Sequence, residues 1–250
     1  MPRVLYDLCG IDEALRFSPY CWRVKYALAH KGLEVQTRPW HFTEKEAIAF
    51  SGQGKVPVLV DGDETVTDSY EIFRYLDRAY PDHRPDKLLL GDGEAGARAR
   101  FFKFYAERSL APGMMRSIVM DLHNAIHPKD RDYFRETREK RFGRSLEEFH
   151  APNKGLSMLD QALEPLRGRL EEADFLDGDE PAGADYLVFG NFMWARCVSC
   201  ADLVSNADPV YAWVERMLDL YDGLGRHATR IVDIQGAYES EPSDYLFGKK

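Results

Sequence analysis

The stretch RFSPYCWRVKYAL, Arg16 to Leu28, has the form of a redox-protein helix start, Cys-Pro-Tyr-Cys, with Ser18 in place of the first cysteine. Serine is a favoured N-cap, and Pro19 takes the first helical position, where a missing N–H costs nothing. Cys21, Val24 and Leu28 then share one face, and Gly32 marks the stop. This helix follows RVLYDL (Arg3–Leu8), which reads as a strand. Beyond it, EVQTRP reads as a second strand, TEKEAIAF as a short helix, VPVLVD and ETVTD around Gly62 as a hairpin, and SYEIFRYLDRAY as a closing helix. The order βαβα–ββα predicts a small mixed sheet covered by helices on both faces.

After Tyr80 the texture changes. PDHRPDKLLLGDGEAG is rich in Pro, Gly and Asp and reads as a linker over 81–93. Helical periodicity dominates 94–250, in ARARFFKFYAERSL, GLSMLDQALEPLRGRLEEA, DYLVFGNFMWARCVSCADLV and DPVYAWVERMLDLYDGL. The expected architecture is therefore an α/β domain over 1–80 followed by an all-α domain. The 250 residues, 44% hydrophobic and 30% charged, are enough to bury a substantial core. A net charge of −9 argues against general affinity for nucleic acid or an anionic membrane. No apolar run is long enough to span a bilayer, and MPRVLYDLCGIDE makes a poor signal peptide. Four sparse cysteines point to free thiols in a reducing, cytoplasmic setting.

Ser18 has two readings. As a cap it needs no further role. Alternatively, the positive end of the helix stabilises an anion, and the hydroxyl donates a hydrogen bond to a thiolate carried by a small molecule. Cys21, in the first turn, reads either as an acidified thiol or, on its apolar face, as a buried structural cysteine. Two further pieces fit a thiol ligand. Pro57 at a strand entrance, if its bond to Val56 is cis, turns the Val56 backbone outward to pair with an extended peptide. Asp68, with Glu71 three residues on, resembles a capping box; that helix start, with Ser69, also suits an amino-acid head group. A peptide with a charged head, a peptide bond and a thiol matches Asp68–Ser69, Val56 and Ser18 in turn. Glutathione is such a molecule.

With these motifs, Ser18-Pro19-Tyr20-Cys21, Lys55-Val56-Pro57-Val58-Leu59 and Asp68-Ser69, together with the helical second half, the sequence resembles the cytosolic glutathione S-transferase superfamily over nearly its whole length. The resemblance implies a thioredoxin-like N-terminal domain and an all-α C-terminal domain carrying the hydrophobic acceptor site. It implies that Ser18 polarises the glutathione sulfur, Val56 pairs with the cysteinyl backbone, and Asp68 with Ser69 binds the γ-glutamyl end. Lys55 and His41 become candidates for the glycyl carboxylate, with a solvated surface role an equal reading for either. PAGADYLVFGNFMWAR resembles the family helix that carries a buried aspartate, here Asp185; Ala182 stands where the capping Ser or Thr is usual. SPYCWRVKYAL, DRDYFRETREKRFGRSLEEF and FGNFMWAR have the look of the serine-type, β-etherase-like and fungal branch, which implies thiolate attack on β-aryl ethers. A homodimer is implied by resemblance alone.

The remaining stretches have plainer readings. Phe101, Phe102, Phe104, Tyr105, Met114, Met115 and Met120 suit either helix packing or an apolar acceptor pocket. The charged insert His127–His150 reads most simply as a solvated helix with intrahelical ion pairs, and alternatively as a lid. Cys197 and Cys200, without a second ligand pair, give no metal site. The polar tail YESEPSDYLFGKK favours exposure. Three functions compete: a glutathione transferase acting on a hydrophobic, aromatic electrophile; thiol exchange through Cys21; and a noncatalytic carrier of glutathione or an apolar ligand.

Overall fold

The computed structural model describes residues 2–200 and 203–234; the tail YESEPSDYLFGKK lies outside them. Strands β1 (Val4–Leu8), β2 (Gln36–Trp40), β3 (Val58–Asp61) and β4 (Glu64–Thr67) form one sheet in the order β2-β1-β3-β4. β1 runs parallel to β2 and antiparallel to β3, and β3 pairs antiparallel with β4. The sheet is mixed, as the strand and helix pattern predicts. Pro39 lies in β2, an edge strand, where its missing N–H leaves no gap in a central ladder.

Two helices belong to this domain, α1 (Pro19–His30) and α2 (Ser69–Ala79). TEKEAIAF gives a 3₁₀ helix over Lys45–Ser51. The stop of α1 is met by Gly32 at φ +63°, a conformation that favours glycine. α1 is not amphipathic in the ordinary sense: Arg23 and Lys25 are buried along with Cys21, Val24 and Leu28. It is sandwiched between the sheet and the second domain. Lys25 Nζ meets the fully buried Asp7 of β1 at 2.6 Å, so the cation that faces the sheet has its counter-ion there.

Residues 81–92 hold no helix or strand, yet they are anchored. Leu89 and Leu90 are buried, and their N–H groups donate to Asp77 Oδ1 and Oδ2 at 3.0 and 2.9 Å. The helical part then comprises, among the described residues, α3 (Gly93–Tyr105), α4 (Ala111–Ala125), α5 (Arg131–Phe142), α6 (Leu146–Phe149), α7 (Pro152–Glu172), α8 (Gly183–Val198) and α9 (Pro209–Gly223). α8 is its buried axis. It ends at Val198, short of the helix expected through Val204, because Ser199 turns to extended backbone and its hydroxyl donates to Asp121 Oδ2 at 2.6 Å.

The two domains meet across α1 and α8. Gly190 makes the close approach possible, since a Cβ there would lie 2.4 Å from the Pro19 carbonyl oxygen. At the other end of α1, His30 Nε2 donates to the Lys87 carbonyl at 2.7 Å, and Nδ1 then accepts from the Tyr186 hydroxyl at 2.8 Å. Burial, more than that carbonyl contact offsets, lowers the His30 pKa from 6.5 to about 4. The folded state therefore binds fewer protons than the unfolded chain between those values. The stabilisation is complete above the unfolded pKa and is lost as pH falls through the folded one. The stability difference between wild type and His30→Gln should narrow by about 3 kcal/mol from pH 7 to pH 4 in urea titrations. A pH-independent difference would place that proton uptake elsewhere.

Candidate active site

The register of the sheet gathers three chain segments at one end. Tyr6 pairs with Val58 and Val58 with Thr67, so the end of β1, the entrance to β3 and the exit of β4 lie side by side. The loop after β1 leads to Ser18, Val56–Pro57 precedes β3, and Asp68–Ser69 follows β4. Three motifs separated in sequence thus converge through strand pairing alone.

Ser18 is the N-cap of α1 and is 3% exposed; its Oγ accepts the Cys21 N–H at 3.3 Å. Both readings of the residue begin from this geometry, because capping uses an oxygen lone pair and leaves the hydroxyl hydrogen. The neighbour that competes for that hydrogen is the Cys21 thiol. Cys21 is fully buried, and burial, followed by the charge of Asp7, pushes its pKa well above the ordinary value. It stays a neutral thiol, which is a weak acceptor. An inaccessible neutral thiol also removes the basis for exchange chemistry at Cys21.

The Val56–Pro57 peptide bond is cis, and Val56 stands outside the strand ladder, with no backbone hydrogen bond among the described residues. Asp68 sits at φ +66° and caps α2: its Oδ1 accepts the N–H groups of Tyr70 and Glu71 at 2.8 and 3.2 Å. The capping box expected there is only half made, for Glu71 turns to Arg74 at 3.7 Å. Ser69 is buried beside it.

Ser18, Lys55 and Val56 line a cavity of about 470 Å³ between the domains. Leu8, Phe17, Trp40 and Phe42 contribute from the sheet side, and Met115, Tyr133, Phe142, Phe149 and Trp194 from the helices. Asp68, Ser69 and His41, the other expected ligand-binding residues, do not line the cavity. His41 is buried away from it, with its ring 3.4 Å from the Cys9 sulfur and 4.9 Å from the His127 ring. Burial, then the Lys129 ammonium, lowers its pKa. Lys45 does reach the cavity, and its ammonium donates to the Gly54 carbonyl at 2.7 Å beside Trp40.

The aromatic and methionine run after the linker contributes less than expected: Met115 lines the cavity, whereas Phe102, Tyr105 and Met114 are packed inside and Phe101 and Phe104 face outward. A feature missed in the sequence is the π-helical turn Ala106–Leu110 between α3 and α4. Pro112 has no N–H for a regular α-ladder, and the widened turn absorbs the gap. Asn191 of α8 donates to the Ala106 carbonyl at 2.7 Å. That turn brings Glu107 to the cavity wall, held by Arg23 at 3.0 Å and Lys103 at 2.9 Å. The charged insert divides by face. Arg135 pairs outward with Glu139 and Glu147 at 2.9 and 2.8 Å, while Tyr133, Arg138, Arg141 and Phe142 form a wall of the cavity.

The family model described as glutathione S-transferase, N-terminal domain, matches residues 14–84, and that for the C-terminal domain matches residues 97–215. A probable glutathione S-transferase of Oryza sativa subsp. indica is 34% identical over 101 residues, which are 37% of this chain and 44% of that protein. The chain thus spans less than half the length of that relative. Glutathione S-transferase F10 of Arabidopsis thaliana is 24% identical over 203 residues, 78% of this chain and 86% of its own. Among solved structures, a glutathione S-transferase of Ceriporiopsis subvermispora in complex with glutathione superposes with a TM-score of 0.75 at 20% identity, covering 89% of this chain and 97% of the other. A glutathione transferase of Phanerochaete chrysosporium gives 0.71 at 25% identity, covering 89% and 93%. Among the described residues no helix is long and apolar enough to cross a membrane.

Proposed function

Because the chain belongs to the glutathione S-transferase superfamily, we propose that it binds glutathione at the sheet end and that Ser18 activates the sulfur for attack on an aromatic electrophile. One observation carries this reading: the Ser18 cap of α1 opens onto a cavity whose remaining wall is largely aromatic. The helix end and the hydroxyl favour the thiolate, and the aromatic wall receives the acceptor. Val56 offers its free backbone to the cysteinyl unit, Asp68 and Ser69 take the γ-glutamyl end, and Lys55, with Lys45 in place of His41, faces the glycyl carboxylate. The helical domain, taken over 94–250, supplies the acceptor side.

In its narrow form the reaction is cleavage of a β-aryl ether. The thiolate forms a sulfur–carbon bond at the carbon next to a ketone, and the aryloxide leaves with the bonding electrons and takes a proton from solvent. Protein, glutathione and a panel of aromatic halides and β-aryl ethers, followed by mass spectrometry, tests both levels. Conjugate from halides alone keeps the transferase and removes the etherase. Glutathione binding without any conjugate leaves a carrier. The proposed setting is cytoplasmic. A homodimer through the α2–α3 face is also proposed, because Phe101 and Phe104 are 61% and 41% exposed beside an open cleft there. Sedimentation at the mass of one chain would remove it.

A further inference from the structure

The cavity is charged as well as aromatic, and its charge is one-sided. Lys45, Lys55, Arg138 and Arg141 line it, against the single carboxylate of Glu107, which Arg23 and Lys103 already hold. Among the described residues no carboxylate lies within 4 Å of any of those four cations, in a chain whose net charge is −9. Unpaired positive charge collected in one cleft of an acidic protein focuses a field that draws anions.

Arg138 is the most constrained of the four. Its guanidinium lies over the rings of Phe134 and Phe42, at 4.8 and 5.8 Å from their centroids. Its Nε is buried with no hydrogen-bond partner, and Nη1 has only the adjacent Thr137 hydroxyl at 3.2 Å. Burial, then the like charge of Arg141, bears on it unfavourably. A half-buried cation without a counter-ion is unfavourable to keep, and a planar guanidinium fork held by two rings is pre-arranged for a carboxylate. Lys55, Val56, Asp68 and Ser69 lie at the sheet end, whereas Arg138 and Arg141 lie on α5, three residues apart on one helical face. The α5 pair is therefore on the acceptor side.

We propose that the acceptor is an aromatic carboxylate, its ring against the aromatic wall and its carboxylate on Arg138, with Arg141 beside it. This rests on the transferase reading for the nucleophile but not for the anion site. The matched probes are 2-naphthoate and its methyl ester for binding, and 4-chloro-3-nitrobenzoate and its methyl ester for conjugation. In the latter the thiolate forms a carbon–sulfur bond and chloride leaves with the carbon–chlorine electrons.

Calorimetry with glutathione present should show 2-naphthoate binding at least tenfold tighter than its ester, with the preference weakening as salt is raised. Arg138→Gln should bring the acid to the level of the ester, and Arg138→Lys should restore part of the preference. After correction for uncatalysed reactivity, kcat/KM should favour the nitrobenzoate over its ester in wild type. Equal binding of acid and ester by wild type overturns the proposal and needs no variant. So does an Arg138→Gln protein that keeps the preference while losing glutathione affinity. Equal turnover of acid and ester sinks this inference and leaves the transferase standing. A retained acid preference with no conjugate sinks the transferase and leaves the anion site standing.

Discussion

Ser18→Ala raises the pKa of glutathione's thiol in the complex by about one to two units and lowers turnover near neutral pH by roughly 10- to 100-fold. The magnitude follows from the loss of one hydrogen bond to a charged group, about 1.5–3 kcal/mol. The helix end remains in the variant. Cys21 N–H and Trp22 N–H are directed to Ser18 Oγ and Ser18 O, and Pro19 has no N–H, so Tyr20 N–H is the first-turn amide left to the ligand. Residual thiolate stabilisation is therefore expected. Alanine also removes the cap, at about 1 kcal/mol of stability, and this confounds a simple reading of lost activity. Ser18→Asp separates the two. Aspartate caps as well as serine, so folding stability is kept, but its charge repels a thiolate and drives the thiol pKa further up. Titrating the ultraviolet absorbance of the bound thiolate in all three proteins decides the matter. An unshifted thiol in Ser18→Ala, or an Asp variant as active as wild type, would leave Ser18 as a cap and nothing more.

What could be read from the chain was what local rules govern. Ser18, Pro19 and Gly32 delimit α1 by backbone chemistry within a few residues, and the observed helix ends at His30, two residues before the Gly32 stop. The hairpin around Gly62 was also legible, and its pairing of Val58 with Thr67 sets the segments holding Val56 and Asp68 side by side. The misreadings concern placements set by distant segments. His41 is buried by Cys9 and by the segment around His127 and Asp130, whose backbone contacts begin at Phe42; nothing near residue 41 announces this. Arg138 carries the same sequence signal as the solvated Arg135, and only the packing of Phe42 and Phe134 distinguishes the two faces of α5. Glu107 was missed for another reason. Its position depends on a π-turn for which Pro112 was the available cue, and a proline near a helix start is usually read as a first-turn residue.

Asp185→Ala destabilises the protein by about 4 kcal/mol, a large share of the roughly 5–15 kcal/mol typical of a folded chain. The carboxylate is fully buried and accepts from Leu176 N, Asp177 N, Ala182 N and Trp213 Nε1, at 2.8, 3.1, 3.2 and 2.8 Å. It ties the start of α8, the loop before it and α9 together. Alanine leaves four buried donors with no acceptor, each costing about 1–3 kcal/mol before relaxation. Ala182 has no hydroxyl to cap α8, so its first turn relies on two carboxylates, Asp185 and Asp177, whose Oδ2 accepts the Ala184 N–H at 2.7 Å. Burial, then the charge of Asp177, raises the Asp185 pKa from 3.8 to about 6. The folded state therefore binds more protons than the unfolded chain between those values. That contribution is complete below the unfolded pKa and is lost as pH rises through the folded one. The gap between wild type and Asp185→Ala should accordingly widen by about 2 kcal/mol as pH falls from 7 to 4, opposite in direction to the His30 effect. Asp185→Asn should retain part of the stability, because one amide oxygen still accepts, while its NH₂ faces N–H donors. Urea titrations at both pH values test this; an alanine variant within about 1 kcal/mol of wild type would show that the donors find water instead. Because α8 touches Pro19 at Gly190, loosening its start also loosens the helix that Ser18 caps, so Asp185→Ala should weaken glutathione binding before it unfolds the chain.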